Sequence, residues 1–443
     1  MLIEPTQDCK LLGAVRAVTG LEDAVLIVHG RPGCHSGMLA LQAFTSSHRR
    51  INVVYSGLRS EDMIYGGEKR LLNAILNTYK IMKPRLIVIA VTSSTGIMGD
   101  DIEGVVQEVK ERHGVDVPIF VVNACGYSGP ESLGYEEVMA KLAELVCRAE
   151  DKVRDSANIV GFHPDEPHWM GDLQEIRDVL SRCGVKINLV LSWCSVDDIR
   201  KAARAELNIC LGGDGISFCK RLQEEHDVPY VIVPYPYGRT GLVKFLESIS
   251  HELSIDVDWK YIEKLEKQVE DVLSNYFTYV DSVYGSLSAV LVGDSSRVFY
   301  LADVLKDELS MTIGLVCARQ STEQARAEAE RFRFTEVLIS PDRHVLRERV
   351  LELDPDVVYG STFERDLAIL TDAALVRVFF PTVDEVCLTG STLVGPRGML
   401  TLLEKTINSL MKCQERAEAL AYGGHLIKER LWYVKHDDEH SQD

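Results

Sequence analysis

Short apolar runs alternate with amphipathic stretches along the whole chain. Ala24–His29, Ile51–Tyr55, Leu86–Val91 and Ile119–Asn123 are brief, rich in β-branched residues and bounded by Gly, Pro or polar residues. That pattern predicts strands buried on both faces. Between them, Glu68–Met82 and Asp101–His113 predict helices. In the second, Ile102, Val105, Val106 and Val109 recur at helical spacing, and Asp100-Asp101 stand at its start, where carboxylates suit the helix dipole.

The pattern restarts twice. Ile159–Phe162, Val185–Leu191, Leu207–Leu211 and Pro229–Val233 predict a second set of strands, with helices at Leu173–Ser181, Val196–Ala203 and Gly215–Glu225. A charged helix, about Trp259–Tyr279, follows without a strand and reads as a connector. Ala289–Val292, Thr312–Cys317, Glu336–Ser340, Val357–Tyr359 and Val376–Phe380 predict a third set. An amphipathic segment over Gly398–Leu420 then precedes a polar tail, His436–Asp443, expected to fray. Strand–helix alternation means parallel, doubly wound sheets. The expected fold is α/β: three Rossmann-like, doubly wound domains with mostly parallel sheets flanked by helices. The expected limits are 1–155, 156–284 with the connecting helix, and 285–443 with the C-terminal helix and tail.

Composition narrows the partners. The 443 residues are 46% hydrophobic, enough for several cores. The formal net charge of −19 repels nucleic acid and anionic lipid, so neither is an expected partner. The start, Met1-Leu2-Ile3-Glu4-Pro5, lacks the basic and apolar regions of a signal peptide, and no apolar run is long enough to span a bilayer. A cytoplasmic protein is expected.

The 11 cysteines are an odd count with no Cys-x-x-Cys pair. This argues against a disulfide framework, a zinc ribbon or a ferredoxin-type motif. Cys147, Cys183, Cys210, Cys219, Cys317 and Cys413 lie in or beside apolar runs and read as small buried hydrophobes. Cys387 is read as a packing residue.

Ligands of open parallel sheets bind at the carboxyl ends of strands. The first strand ends in His29-Gly30-Arg31-Pro32-Gly33-Cys34-His35-Ser36-Gly37, which puts Cys34 where a helix begins. Helix-start amides favour a thiolate, the form needed for metal ligation or nucleophilic attack. Cys9, in Asp8-Cys9-Lys10-Leu11-Leu12-Gly13-Ala14, precedes its own helix. Two cysteines opening successive helices can converge on one point. From the residues alone, metal or redox chemistry stands beside the alternative of buried structural thiols. Thr92-Ser93-Ser94-Thr95-Gly96 follows the third strand, and could line such a site or cap a helix. Cys125 follows the fourth, on the same sheet edge as Cys34. The dipeptide Gly-Lys never occurs, so there is no P-loop; no Gly-x-Gly-x-x-Gly occurs either. Gly293-Asp294-Ser295-Ser296-Arg297 is only a weak anion-site candidate.

Taken together, Cys9 to Val15 and His29 to Cys34 resemble the first two cluster-ligand motifs of nitrogenase component 1 subunits. Ser60 to Gly67 resembles the family's next loop. Ser93 to Asp101 resembles its third-ligand loop, ending in Gly-Asp-Asp. Phe380 to Asp384, running on through Leu388, Ser391-Thr392 and Gly395 to Gly398, resembles the C-terminal motif of its β-type subunits. The resemblance covers nearly the whole chain. It implies Cys9 and Cys34 as ligands to a [4Fe-4S] or P-type iron–sulfur cluster at an interface with a component 1 partner subunit, identical or not. It also implies a separate P-loop iron protein that hydrolyses ATP and delivers electrons, so ATP binds only there. Two departures matter. Ser93 stands where the family has its third cysteine, with Cys125 near enough to substitute. Gly212 or Gly213 stands where catalytic α-type subunits carry their cofactor cysteine. The expected role is thus an electron-accepting subunit of a nitrogenase-like reductase, with a scaffold for metallocofactor assembly as the alternative.

Overall fold

Ala24–His29, Ser156–Val160 and Val357–Gly360 are buried along their whole lengths. Strands buried on both faces need helices on both, which requires crossover connections and parallel pairing. The structure, a computed structural model, describes residues 9–44, 52–149, 151–284, 286–332 and 335–414. Among the described residues, the strands form three sheets, and every bonded pair is parallel.

The first sheet holds β1 (Ala24–His29), β2 (Val53–Tyr55), β3 (Leu86–Val91) and β4 (Ile119–Asn123), in the order β2-β1-β3-β4. The second holds β5 (Ser156–Val160), β6 (Lys186–Val190), β7 (Leu207–Leu211) and β8 (Tyr230–Val233), in the order β6-β5-β7-β8. The third holds β9 (Ser288–Gly293), β10 (Thr312–Ala318), β11 (Glu336–Ile339), β12 (Val357–Gly360) and β13 (Ala374–Arg377), in the order β11-β10-β9-β12-β13.

Each sheet winds one way from its first strand and then crosses back to the other side. The reversal leaves a crevice outside the carboxyl ends of β1 and β3, of β5 and β7, and of β9 and β12. Cys34 follows β1 and Ser93 follows β3, so both belong to the first crevice.

The helix Glu68–Met82 matches its sequence pattern at both ends, and the connector runs Trp259–Tyr284. Two strand ends differ from the sequence pattern for one reason. The expected strand Ile159–Phe162 is instead Ser156–Val160, because Gly161 turns with φ +81 while Phe162, fully buried, continues the apolar run in a loop. Likewise β13 ends at Arg377, although Val378, Phe379 and Phe380 stay buried beyond it. The helix Gly238–Leu253 is absent from the expected elements, yet Leu242, Phe245, Leu246 and Ile249 bury one helical face. Cys147, expected to be buried, is exposed. A helix over 395–414 closes the described chain; the tail His436–Asp443 lies outside the described residues. Among the described residues no helix is long and apolar enough to cross a membrane.

Candidate functional site

Cys9 is the residue before the helix Lys10–Thr19, whose first turn closes on its carbonyl through Leu12 N at 2.8 Å. That helix is fixed by backbone contact with Glu131–Ala143. A Cβ on Gly13 would stand 1.8 Å from the Glu131 carbonyl oxygen, and one on Gly134 would stand 1.9 Å from that of Lys10. Only glycine permits so close a crossing. Lys10 adds a 2.7 Å ion pair to Glu137. The cysteine thus sits at the end of an element with little freedom to shift.

Cys34 is the third residue of the helix Pro32–Phe44, with proline at the first position, where its missing N–H costs nothing. The residue is exposed. Its thiol is nonetheless pushed up from its ordinary value, first by desolvation and next by the neighbouring Cys9 thiol. A bound cation would reverse that influence, since metal coordination deprotonates thiols.

Ser93 opens the helix Ser93–Met98, with Thr92 at the position before it. Its Oγ accepts the Gly126 N–H at 3.0 Å. The point where a Gly126 Cβ would stand is 3.7 Å from Ser93 Oγ and 3.8 Å from Cys9 Sγ. Ser93 and Cys9 thus share one neighbourhood. Cys125 borders it differently. It is buried, and its thiol donates to the Thr92 carbonyl at 3.3 Å and the Val91 carbonyl at 3.6 Å. Gly96 leaves room for that sulfur, because a Cβ there would stand 2.5 Å from it. Among the described residues, no three His, Cys, Asp or Glu side chains gather to hold a metal ion.

Other residues of these motifs hold the loops. The His29 carbonyl accepts three bonds, from Thr92 N at 3.1 Å, Thr92 Oγ1 at 3.0 Å and Thr95 Oγ1 at 2.8 Å. The His29 ring, fully buried, meets Ser56 Oγ through Nδ1 at 3.0 Å and Asp100 Oδ2 through Nε2 at 3.1 Å. Burial pushes the imidazole down and Asp100 opposes it. Asp100 also accepts Gly67 N–H at 3.2 Å. Both residues lie inside the motifs that carry the cysteines and glycines, and that position is the sequence signal for them.

A second centre has no counterpart among the expected site residues. Arg16, on the helix that begins after Cys9, is buried among carboxylates from all three sheet units. Its guanidinium bonds Asp165 at 2.9 and 3.1 Å, Glu131 at 2.8 Å, Asp294 at 3.1 Å and Glu166 at 3.2 Å, and lies 4.0 Å over the Phe380 ring. The loop holding Asp294, expected as a weak anion site, instead turns its carboxylate to Arg16 and Arg319. Beside this hub is a cavity of about 600 Å³, lined from the first unit by Glu131, from the second by His163, Gly213 and Asp214, and from the third by Ser295 and Arg297. A lone arginine in the apolar run Leu11–Val18 is the available sequence signal.

Comparison with known proteins agrees with this architecture. The family described as nitrogenase component 1 type oxidoreductase matches residues 9–411. The chain is 26% identical to the nitrogenase vanadium-iron protein beta chain of Trichormus variabilis, over 94% of this chain and 95% of that one. It is 26% identical to the nitrogenase iron-molybdenum cofactor biosynthesis protein NifE of Clostridium pasteurianum, over 81% and 79%. It is 24% identical to a light-independent protochlorophyllide reductase chain of Heliobacterium modesticaldum, over 91% and 77%. The solved structure titled nitrogenase Cp1 at pH 6.5 superposes with a TM-score of 0.81 at 18% identity, covering 94% of each chain. With the family match running from Cys9 through nearly all of the described chain, this protein belongs to the nitrogenase component 1 type oxidoreductase family.

Proposed function

We propose that this chain is an electron-accepting subunit of a nitrogenase-like reductase, cytoplasmic, with units at 1–155, 156–284 and 285–443. The observation that carries the reading is the placement of Cys34 after β1 and of Ser93, which shares a neighbourhood with Cys9, after β3, at the crevice of the first sheet. Two thiols fit half of the four-thiolate set of a [4Fe-4S] cluster. The other half would come from a component 1 partner subunit, identical or related. Bound there, the cluster would supply one-electron transfer from an ATP-hydrolysing iron protein.

The chain's own residues supply position. The His29–Asp100 pair and the triply bonded His29 carbonyl tie the Cys34 loop to the Ser93 loop. Gly126 N–H orients the Ser93 hydroxyl. Cys125, engaged with two carbonyls, is the weaker candidate ligand of that pair. The cavity beside Arg16 is the natural place for an electron acceptor, since its walls present both proton-bearing and cationic groups.

A second reading, a scaffold for metallocofactor assembly, is favoured by two residues. Ser93 stands where the resemblance places a third cysteine, and Gly213, one of the two glycines (with Gly212) at the position of the α-type cofactor cysteine, lines the cavity. Anaerobic purification with iron and sulfide analysis tests the shared basis of both. Iron well below one cluster per dimer would sink them together. Turnover with iron protein, ATP and reductant supports the reductase, whereas cluster transfer to an apo-acceptor without turnover supports the scaffold.

A further inference from the structure

The seam between the second and third units holds another thiol. Cys387 lies in the segment after β13 and is 9% exposed, while its neighbours Val386 and Leu388 are 77% and 68% exposed. The main chain here runs along the surface with the thiol turned inward. Cys387 Sγ lies 3.7 Å from His168 Nε2. His168 precedes the helix Trp169–Arg182 and has φ +64, a conformation that side chains with a Cβ seldom adopt. Its Nδ1 lies 2.8 Å from Ser391 Oγ, which lies 3.0 Å from Thr389 Oγ1.

With Nδ1–H donated to Ser391, the Nε2 lone pair faces the thiol. Burial, reinforced by Lys405, pushes His168 down to about 4, so the ring is neutral rather than cationic. Burial pushes the Cys387 thiol up, and Lys405 opposes this. The resting pair is a neutral thiol on a neutral imidazole. A thiol, an imidazole within reach and a hydroxyl that orients the ring make the geometry of a nucleophile–base pair.

We propose that Cys387 is a nucleophilic thiol, with His168 as its base and Ser391 as a positioning residue, that forms mixed disulfides with small-molecule disulfides. The thiol proton passes to His168 Nε2 as the sulfur attacks one sulfur of the reagent. The reagent S–S bond breaks, a new S–S bond joins Cys387, and the departing thiolate takes the proton from His168. Cys387 is oxidised and the released half of the reagent is reduced. This chemistry is independent of the cluster reading, because none of its residues belongs to the first unit.

The test treats the reduced full chain anaerobically with oxidised glutathione and follows each cysteine by peptide mass mapping. Cys183, 7% exposed, is the buried comparison thiol. Cys387 should form its adduct at least about tenfold faster than Cys183, the minimum expected of a working base. His168→Asn keeps a residue that tolerates positive φ and should slow Cys387 by about tenfold or more with Cys183 unchanged. Ser391→Ala should slow Cys387, and Ser391→Thr should restore it. Equal rates at Cys387 and Cys183, or an unchanged Cys387 rate in His168→Asn, would overturn the proposal. If His168→Asn loosens the fold, seen as faster Cys183 labelling, the Ser391 pair decides: equal Cys387 rates in Ala and Thr variants overturn it.

Discussion

His29 and Asp100 stand 71 positions apart and meet at 3.1 Å through Nε2 and Oδ2, both side chains sealed from solvent. The contact joins the loop that carries Cys34 to the loop that carries Ser93. Asp100→Asn removes the charge but keeps the size. Losing a charge-assisted buried hydrogen bond should cost about 1.5–3 kcal/mol. The free energy of unfolding from urea titration should fall by that amount, lowering the midpoint, and iron content after reconstitution should fall with it. A full-strength midpoint would show that the pair is not structural.

Cys34→Ser should abolish the cluster's EPR signal, and Cys9→Ser should do the same. Cys183→Ser should keep it, because Cys183 packs in the core of the second unit. An unchanged spectrum in Cys34→Ser would remove that residue from the ligand set.

Arg16→Met keeps the length and apolar volume but removes the shared cation of four carboxylates. Breaking a buried ion pair by removing one partner costs about 3–5 kcal/mol, and here the lost partner serves Asp165, Glu131, Glu166 and Asp294 together. A soluble variant with near-native urea stability would contradict the hub. Arg16→Lys should recover little, since an ammonium cannot reproduce the fork that meets Asp165 through two nitrogens.

The same hub sets a pH dependence. Burial first, and then neighbouring Asp294 and Asp165, pushes Glu166 up to about 8 and Glu131 up to about 7. A folded-state value above the unfolded one means that folding tightens proton binding. The resulting stability is complete below the ordinary glutamate value and is lost as pH rises through about 7 and 8. Thermal midpoints should therefore drop from about pH 6 to about pH 9. Glu166→Gln should flatten part of that slope. Parallel profiles for the variant and the parent would refute the assignment.

Gly13→Ala tests the helix crossing. Its Cβ would meet the Glu131 carbonyl at 1.8 Å, so backbone must move. Overpacking of this kind costs about 1–3 kcal/mol or more. Circular dichroism melts should show the loss, and thiol labelling at Cys9 should change with it.

The sheets were legible because β1, β3, β4 and β7 are compact apolar runs with polar ends. Strand ends were less so where buried loops extend the run, as at Phe162 and at Val378–Phe380. The cysteines were legible because thiols at helix starts are chemically conspicuous and stand in ordered motifs. Arg16 and its carboxylates were not, since their partners lie 115 to 278 positions away and no local pattern encodes such a meeting. The pairing of His168 with Cys387, 219 positions apart, was hidden for the same reason.

Cys9 and Arg16 share the helix Lys10–Thr19 and its leading residue, and the backbone between them is clamped at Gly13. Seven residues of helical rise set them about 10 Å apart along its axis. The separation between the thiol edge and the carboxylate hub is therefore a covalent length, a ruler cut into the chain. Inserting one residue between them would swing Cys9 about 100° around the axis relative to Arg16. Drift elsewhere in the sequence can reshape the cavity wall or the tail, but the gauge between these two centres is held by one short, unbroken stretch of helix.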